Sequence, residues 1–373
     1  MPDRTSPNLL APLAALLALA ALAPLPAPAR QRPAAPARAG WQLGPFVRTP
    51  RNPILAPDPA ALFAAPGQPA VRWEALHVFN PAAIVRGGKV VLLYRAEDDT
   101  GAAAIGGHVS RIGWAESADG VHFRRRPQPV LFPAADAQSA DERGGGCEDP
   151  RVVAAPGGLF VMTYTQWNRR QARLAIATSR DLIHWLKRGP AFAELGGAWA
   201  RRWTKSGAIV TALENGRLRA VKIGGRYWMY WGDQGVRIAT STNLIDWQPG
   251  PVVLPPRPGR FDSALTEPGA PALLTQKGIV LLYNAMNART SGDPSLPAGR
   301  YAAGQALFSA AAPARLLART ARPFFAPAAG YETNGQYGAG TTFLEGLVHF
   351  HRAWFLYYGA ADSRVAVWRP PQP

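Results

Sequence analysis

Leu174-Ala175-Ile176-Ala177-Thr178-Ser179-Arg180-Asp181-Leu182-Ile183-His184-Trp185 reads as a β-strand that ends at a serine, turns at an aspartate and closes on an aromatic. The pattern returns as Val236-Arg237-Ile238-Ala239-Thr240-Ser241, Asn243-Leu244 and Trp247. It also stands earlier in the chain as Arg111-Ile112-Gly113-Trp114-Ala115-Glu116-Ser117, Asp119-Gly120 and Phe123. A β-rich run closing on aromatics precedes each copy: Val90–Tyr94, Leu159–Tyr164 and Tyr227–Trp231. A looser fourth copy holds Ile279–Tyr283 and Ala306–Ser309, and a fifth holds Trp354–Tyr358 and Val365–Val367. The units start roughly 60 to 75 residues apart, too long for a stacked β-solenoid and too regular for two sandwiches. Strand and turn residues dominate and no helical period appears. The expected fold is all-β, a five-bladed β-propeller whose sheets bury their faces on one another and protect their edges.

The 373 residues are 47% hydrophobic, ample for a buried core. Leu9 to Leu25 is almost all Leu and Ala, follows Arg4 and leads to Ala27-Pro28-Ala29, the pattern of an export signal over residues 1–29. Pro12 and Pro24 interrupt a stretch already short of the about 20 apolar residues that a membrane span needs. Residues 30–40, rich in Pro, Ala and Arg, read as a tether, and 41–373 as the propeller. The expected location is periplasmic or secreted, with no stable membrane insertion once the signal is removed. Cys147 is the single cysteine, so no internal disulfide forms. A net charge of +17 invites a nucleic-acid partner, yet only five of the 41 basic residues are Lys and the arginines are scattered. The charge bears on solubility, and no nucleic-acid partner is expected.

In a propeller the innermost strand of each blade lines the axial channel, so residues near each blade's start converge on one pocket. Those segments are Phe79-Asn80-Pro81-Ala82, Cys147-Glu148-Asp149-Pro150-Arg151, Thr204-Lys205-Ser206-Gly207-Ala208, Thr266-Glu267-Pro268-Gly269-Ala270 and Gly340-Thr341-Thr342-Phe343. Most carry polar or ionisable residues where a purely structural strand carries Val or Ile. With Asn52-Pro53-Ile54-Leu55, Tyr94-Arg95-Ala96, Ser110-Arg111-Ile112-Gly113 and Tyr358-Gly359-Ala360-Ala361-Asp362, they form an ordered set. From about Asn52 to Val367 this set resembles glycoside hydrolase family 130, the β-mannoside phosphorylases and β-mannosidases.

The resemblance implies that Asp149 is the acid that protonates the leaving oxygen, donating through a mannose hydroxyl in the phosphorylases. Glu148 either raises the pKa of Asp149 by like-charge repulsion or forms a salt bridge with Arg151. Tyr358 and Asp362 are expected to hold the mannose ring. Asn80, Arg95, Arg111, Arg151, Lys205 and Asn284 complete the expected substrate-binding set. Glu267 is placed to activate water, with Asp233 as a second base, although hydrolytic members of the family usually carry Glu at both places. Phosphorylases typically show Tyr-His where this chain has Tyr283-Asn284. Arg95, Arg111, Arg151, Arg169 and Lys205 are available as cations for phosphate, for carboxylates or for sugar hydroxyls.

These cues favour an exported inverting glycosidase hydrolysing β-mannosides, with β-1,2 linkages preferred. A β-mannoside phosphorylase releasing mannose 1-phosphate is the alternative, and a non-catalytic glycan-binding propeller the second. The expected partner is a mannose-containing oligosaccharide. No cofactor and no metal are expected, since the six histidines lack ligand spacing and Cys147 lacks a partner. Trp114, Trp185, Trp231 and Trp247 read as packing residues, and Trp73, Trp167 and Trp203 as platforms for sugar stacking.

Overall fold

The serine and aspartate that punctuate the repeat build the same turn three times. Ser117, Ser179 and Ser241 each accept a backbone N–H through Oγ at 2.9 Å, from Gly120, Leu182 and Leu244. Asp119 Oδ1 accepts from Val121 and His122, Asp181 Oδ1 from Ile183 and His184, and Asn243 Oδ1 from Ile245 and Asp246, all at 2.8–3.0 Å. Short polar side chains thus satisfy the N–H groups that the chain exposes as it reverses. The repeat legible in the sequence is a hydrogen-bonded device for leaving one strand and entering the next.

The computed structural model describes residues 39–102 and 104–371. The export signal over 1–29 and the tether as far as residue 38 lie outside the described residues. From Gly40 onward the chain forms one compact unit. The all-β expectation holds: among the described residues the only α-helices are Ser139–Glu142 and Gly330–Thr333.

Strand pairing gives five successive antiparallel groups. The first joins His77–Arg86, Lys89–Glu97, Ser110–Ser117 and Arg124–Arg125. The second joins Gly146–Ala154, Phe160–Trp167, Ala172–Ser179 and Leu186–Pro190. Gly207–Glu214, Arg226–Trp231, Val236–Ser241 and Gln248–Leu254 make the third. In the fourth the first strand is split into Leu265–Pro268 and Ala272–Thr275, followed by Gly278–Met286, Tyr301–Phe308 and Leu316–Arg319. The fifth comprises Thr342–Phe350, Ala353–Ala360 and Arg364–Arg369, and its outer partner is Val47–Arg48 from the start of the unit. Early and late chain therefore meet in one sheet.

Neighbouring groups touch through their first strands. His77–Arg86 contacts both Gly146–Ala154 and Thr342–Phe350, and Gly207–Glu214 contacts both Gly146–Ala154 and Ala272–Thr275. Between the groups lie apolar layers such as Leu93, Ile112, Met162, Tyr164 and Ala177, all buried. At about 25 cal/mol per Å² of apolar area removed from water, this burial is the main source of stability.

A second repeat runs through the core. A tyrosine of the second strand donates its hydroxyl to a buried acid: Tyr94 to Glu74 at 2.9 Å, Tyr164 to Glu142 at 3.0 Å, Tyr283 to Asp262 at 2.9 Å and Tyr358 to Glu332 at 2.7 Å. Each acid is in turn paired with a base, namely Arg125, Lys187, Arg319 and Arg48. Only the third group lacks the acid, Tyr230 donating to the Pro313 carbonyl at 2.8 Å. A buried carboxylate is tolerable only when paired and hydrogen-bonded, and these anchors meet that condition. Tyr358 thereby has a structural task, which corrects its expected role on the mannose ring: its hydroxyl is committed to Glu332 and does not reach the pocket.

Candidate active site

The first strands are irregular where the site forms. Register slips at Phe79/Pro81, at Glu148/Arg151 and at Leu344/Gly346, leaving Asn80, Asp149 and Glu345 in bulges. Asn80, Asp149, Ser206 and Asp362 have φ of 46°, 49°, 53° and 49°, the left-handed region that residues with a Cβ seldom occupy. Each such backbone costs on the order of 1–3 kcal/mol and persists only where surrounding packing imposes it. A bulge re-aims a side chain, and here it places polar groups together that an unbroken period of two would separate. Gly359 is required by this geometry, because a Cβ there would collide with Asn80 Oδ1.

The resulting cavity, about 230 Å³, is lined by Asn80, Arg95, Glu148, Asp149, Lys205, Glu267 and Asp362, with Trp167, Trp203, Tyr301, Gln336 and Tyr337 on its walls. Asp149 Oδ1 accepts from Asn80 Nδ2 at 2.9 Å and pairs with Arg95 at 3.0 Å, while Lys205 Nζ lies 3.4 Å from Oδ2. Arg95 also reaches Glu148 at 2.9 Å and Glu97 at 2.7 Å. Lys205 lies 3.5 Å from Glu148. Across the cavity Glu267 accepts from Ser206 Oγ at 3.0 Å.

Protonation states follow from these partners. Burial alone would raise the pKa of Asp149, but Arg95, Lys205 and the Asn80 hydrogen bond together hold it well below the usual carboxylate range. Glu148 is pushed up, first by burial and then against the opposing pull of Arg95 and Lys205 by its ionised neighbour Asp149. Glu267 is pushed up to about 8 by burial and by Asp233, and Asp362 to about 7 by burial. With these partners alone, Asp149 is a carboxylate and Glu267 a carboxylic acid at neutral pH. That is the reverse of the acid and base expected from sequence. The physical reason is that both cations of the cavity fall beside Asp149.

Asn80, Arg95, Glu148, Asp149, Lys205, Glu267 and Asp362 are brought together as expected, and Trp167 and Trp203 line the cavity. Other expectations are corrected. Arg151 does not pair with Glu148: it is buried beneath the cavity, 2.9 Å from Glu345, and its guanidinium donates to the carbonyls of Asp149, Pro268 and Gly269. Arg111 is committed to Asp98 at 2.7 Å and ties down the segment that carries Ile105 and Gly106. Asn284 is fully buried and pins the fourth group to the fifth, exchanging hydrogen bonds with the Leu344 backbone at 2.8 and 3.1 Å. Asp233 does not line the cavity, and its carboxylate accepts from Trp203 Nε1 at 2.7 Å. Trp73 is buried against Tyr94 and donates to Pro127, so it offers no platform for sugar.

Tyr301, Gln336 and Tyr337 were not legible as site residues. Gln336 and Tyr337 lie in the segment that follows Glu332, and the Arg48–Glu332 pair at 2.8 Å holds its base. No group of His, Cys, Asp and Glu among the described residues is arranged to hold a metal ion.

The family model described as β-1,4-mannooligosaccharide phosphorylase matches residues 47–371. A 1,2-β-oligomannan phosphorylase from Thermoanaerobacter sp. (strain X514) is 31% identical over 298 residues, 79% of this chain and 90% of its own. A β-1,2-mannobiose phosphorylase from the same organism is 27% identical over 307 residues, again 79% of this chain and 90% of its own. One solved structure is described by the statement that this family of mannoside phosphorylases contains glycoside hydrolases that target β-1,2 mannosidic linkages in Candida mannan. It is 47% identical, covers 90% of this chain and 97% of its own, and superposes with a TM-score of 0.88. The phosphorylase names of the two Thermoanaerobacter relatives overturn the expectation that hydrolysis is the reaction, and the alternative drawn from the same motifs is the better supported. The extent of the family match establishes the chain as an enzyme that acts on mannosides and a member of glycoside hydrolase family 130.

Proposed function

We propose that this protein is a phosphorylase of β-1,2-linked mannooligosaccharides and that it works with inversion. A phosphate oxygen attacks C1 of a mannosyl unit, the bond from C1 to the leaving oxygen breaks, and that oxygen takes up a proton. The products are α-mannose 1-phosphate and an oligosaccharide one unit shorter. The observation that carries the reading is the kinship with two β-1,2-mannoside phosphorylases over most of both chains. The five antiparallel groups are, on the same reading, the blades of a propeller, and the contacts between their first strands support it.

The charges in the cavity suit an anionic attacking group. Lys205 and Arg95 supply cations, and a protonated Glu267 removes a negative charge that would repel phosphate and offers a donor to a phosphate oxygen. Asp149 is ionised only because Lys205 and Arg95 compensate it. A phosphate dianion that draws on those cations raises the pKa of Asp149, so phosphate binding and proton uptake at Asp149 favour each other. Proton and attacking group then arrive together, and the proton is available for the leaving oxygen by way of a mannose hydroxyl.

The experiment is an incubation of β-1,2-mannobiose with and without inorganic phosphate, followed by phosphorus and proton NMR. Phosphate-dependent α-mannose 1-phosphate is the expected product. Free mannose formed at a rate independent of phosphate would overturn the proposal.

A further inference from the structure

Trp203 stands between two cavities. On one side lies the pocket of Asp149 and Glu267, and on the other a cavity of about 360 Å³ lined by Arg202, Trp231, Asp233 and Arg237. The first, about 230 Å³, is smaller than the roughly 300–1,000 Å³ typical of sites that enclose a drug-sized ligand. It suits the reacting end of an oligosaccharide, and the rest of the chain needs another surface. The indole is 46% exposed, yet it is fixed in place. Its Nε1 donates to Asp233 Oδ2 at 2.7 Å, and its ring meets Trp167 edge-on at 5.6 Å.

The second cavity carries guanidinium groups in defined planes. Arg237 lies over Trp231 at 6.0 Å and Arg202 over Trp199 at 4.8 Å. Burial and the charge of Arg202 both lower the pKa of Arg237, with no acid acting the other way. Among the described residues no carboxylate pairs with Arg237, whose Nη1 makes one long hydrogen bond, to the Gly250 carbonyl at 3.5 Å. An exposed aromatic face flanked by fork-shaped donors and one carboxylate acceptor matches a sugar, whose C–H face stacks while its hydroxyls both donate and accept.

We propose that this second cavity is the subsite for the leaving side of the oligosaccharide, the chain crossing Trp203 so that its next units rest against Arg202, Asp233 and Arg237. The proposal rests on the mannoside reading of the main pocket. On this view Asp233, expected to be a base, positions the indole and accepts a hydroxyl.

Calorimetric titration without phosphate separates the two ideas, because it needs no turnover. Wild type is expected to bind β-1,2-mannotetraose more tightly than β-1,2-mannobiose. The ratio of the two affinities should fall about tenfold in Arg237→Met, the scale of a lost charged hydrogen bond. Arg202→Ala, at an exposed position, is expected to lower the ratio as well and guards against misfolding of the first variant. Equal affinities for both lengths in wild type, or an unchanged ratio in both variants, overturns the subsite. A loss confined to phosphate affinity, read in a separate titration of the variants with inorganic phosphate, overturns it too, since the arginines would then be a phosphate site. Failure to form mannose 1-phosphate while the length dependence responds to Arg237 would sink the phosphorylase reading alone.

Discussion

Glu267→Gln tests the protonation state on which the proposed chemistry depends. The folded protein holds the Glu267 proton up to about pH 8, whereas an unfolded chain releases it near the ordinary glutamate value of 4.5. Between those values the native state binds one proton more than the unfolded state, so its stability falls as pH rises. The slope is about 1.4 kcal/mol per pH unit, and from pH 5 to 8 the loss from this group is roughly 4 kcal/mol. Glutamine mimics the protonated acid in shape and cannot ionise, so the variant lacks this loss. Chemical unfolding of wild type and variant at intervals between pH 5 and 9 should give curves that diverge as pH rises, the variant gaining by a few kcal/mol relative to wild type. Phosphorolysis by wild type should also decline on the alkaline side near pH 8, where the donor to phosphate is lost. Parallel stability curves, or wild-type activity that climbs through pH 8 as a general base requires, would refute the assignment.

Asp149→Asn should lower turnover by on the order of a hundredfold or more, because the amide keeps the volume and cannot carry the proton, and should lower stability by about 3 kcal/mol, because it also breaks the buried pairs with Arg95 and Lys205. Near-native activity on an unactivated mannoside would move the acid elsewhere. Lys205→Met removes the cation 3.4 Å from Asp149 and 3.5 Å from Glu148, leaving Arg95 to compensate both. The KM for phosphate should rise at least about tenfold, and unfolding should cost about 3 kcal/mol less, the low end for a broken buried pair. Outside the described residues, Leu16→Arg interrupts the apolar run and should retain the chain in the cytoplasm, as cell fractionation would read out.

How far the sequence speaks depends on the range of the interaction. The Ser-x-Asp or Ser-x-Asn turn is decided within a few residues, so its recurrence at Ser117, Ser179 and Ser241 was legible and marked the strand groups. Asn80, Asp149, Lys205 and Glu267 were legible as well, since an ionisable or amide group on an otherwise apolar inner strand needs a partner across the fold. Arg151 satisfies the same criterion and its partner proves to be Glu345, whereas Asn284 and Tyr358 lie on second strands, were expected from the resemblance alone, and are held by Leu344 and Glu332. One residue of register decides between the two outcomes, because a bulge turns a side chain to the other face. Glu345 was overlooked among Phe343, Leu344 and Leu347, although it is the fully buried partner of Arg151. In the Tyr–acid–base anchors the acid precedes its tyrosine by 20 to 26 residues and only Arg48–Glu332 joins the two ends of the unit, so each anchor exceeds the few residues over which a local pattern is read.

Protonation was the least legible property because it depends on where the cations fall. Asp149 and Glu267 are both buried carboxyl groups of one cavity, so desolvation pushes both pKa values upward. For Asp149 the 3.0 Å contact with Arg95, the nearby Lys205 and the Asn80 amide prevail. Glu267 has a neutral Ser206 hydroxyl at 3.0 Å, only the more remote pull of Lys205 and Arg151, and the negative charge of Asp233 acting with burial. The pocket thus separates a carboxylate from a carboxylic acid without any difference in burial between them. On the proposed phosphorolysis, phosphate entering such a site meets cations whose charge is already engaged by Asp149, and the release of that engagement is what makes a proton welcome there. Arg151 enters the same balance from below, since one guanidinium donates to the carbonyls of Asp149 and of Pro268, next to Glu267. Arg151 therefore fixes the backbone of both carboxyl groups at once, and the Arg151–Glu345 pair is where their relative placement is set.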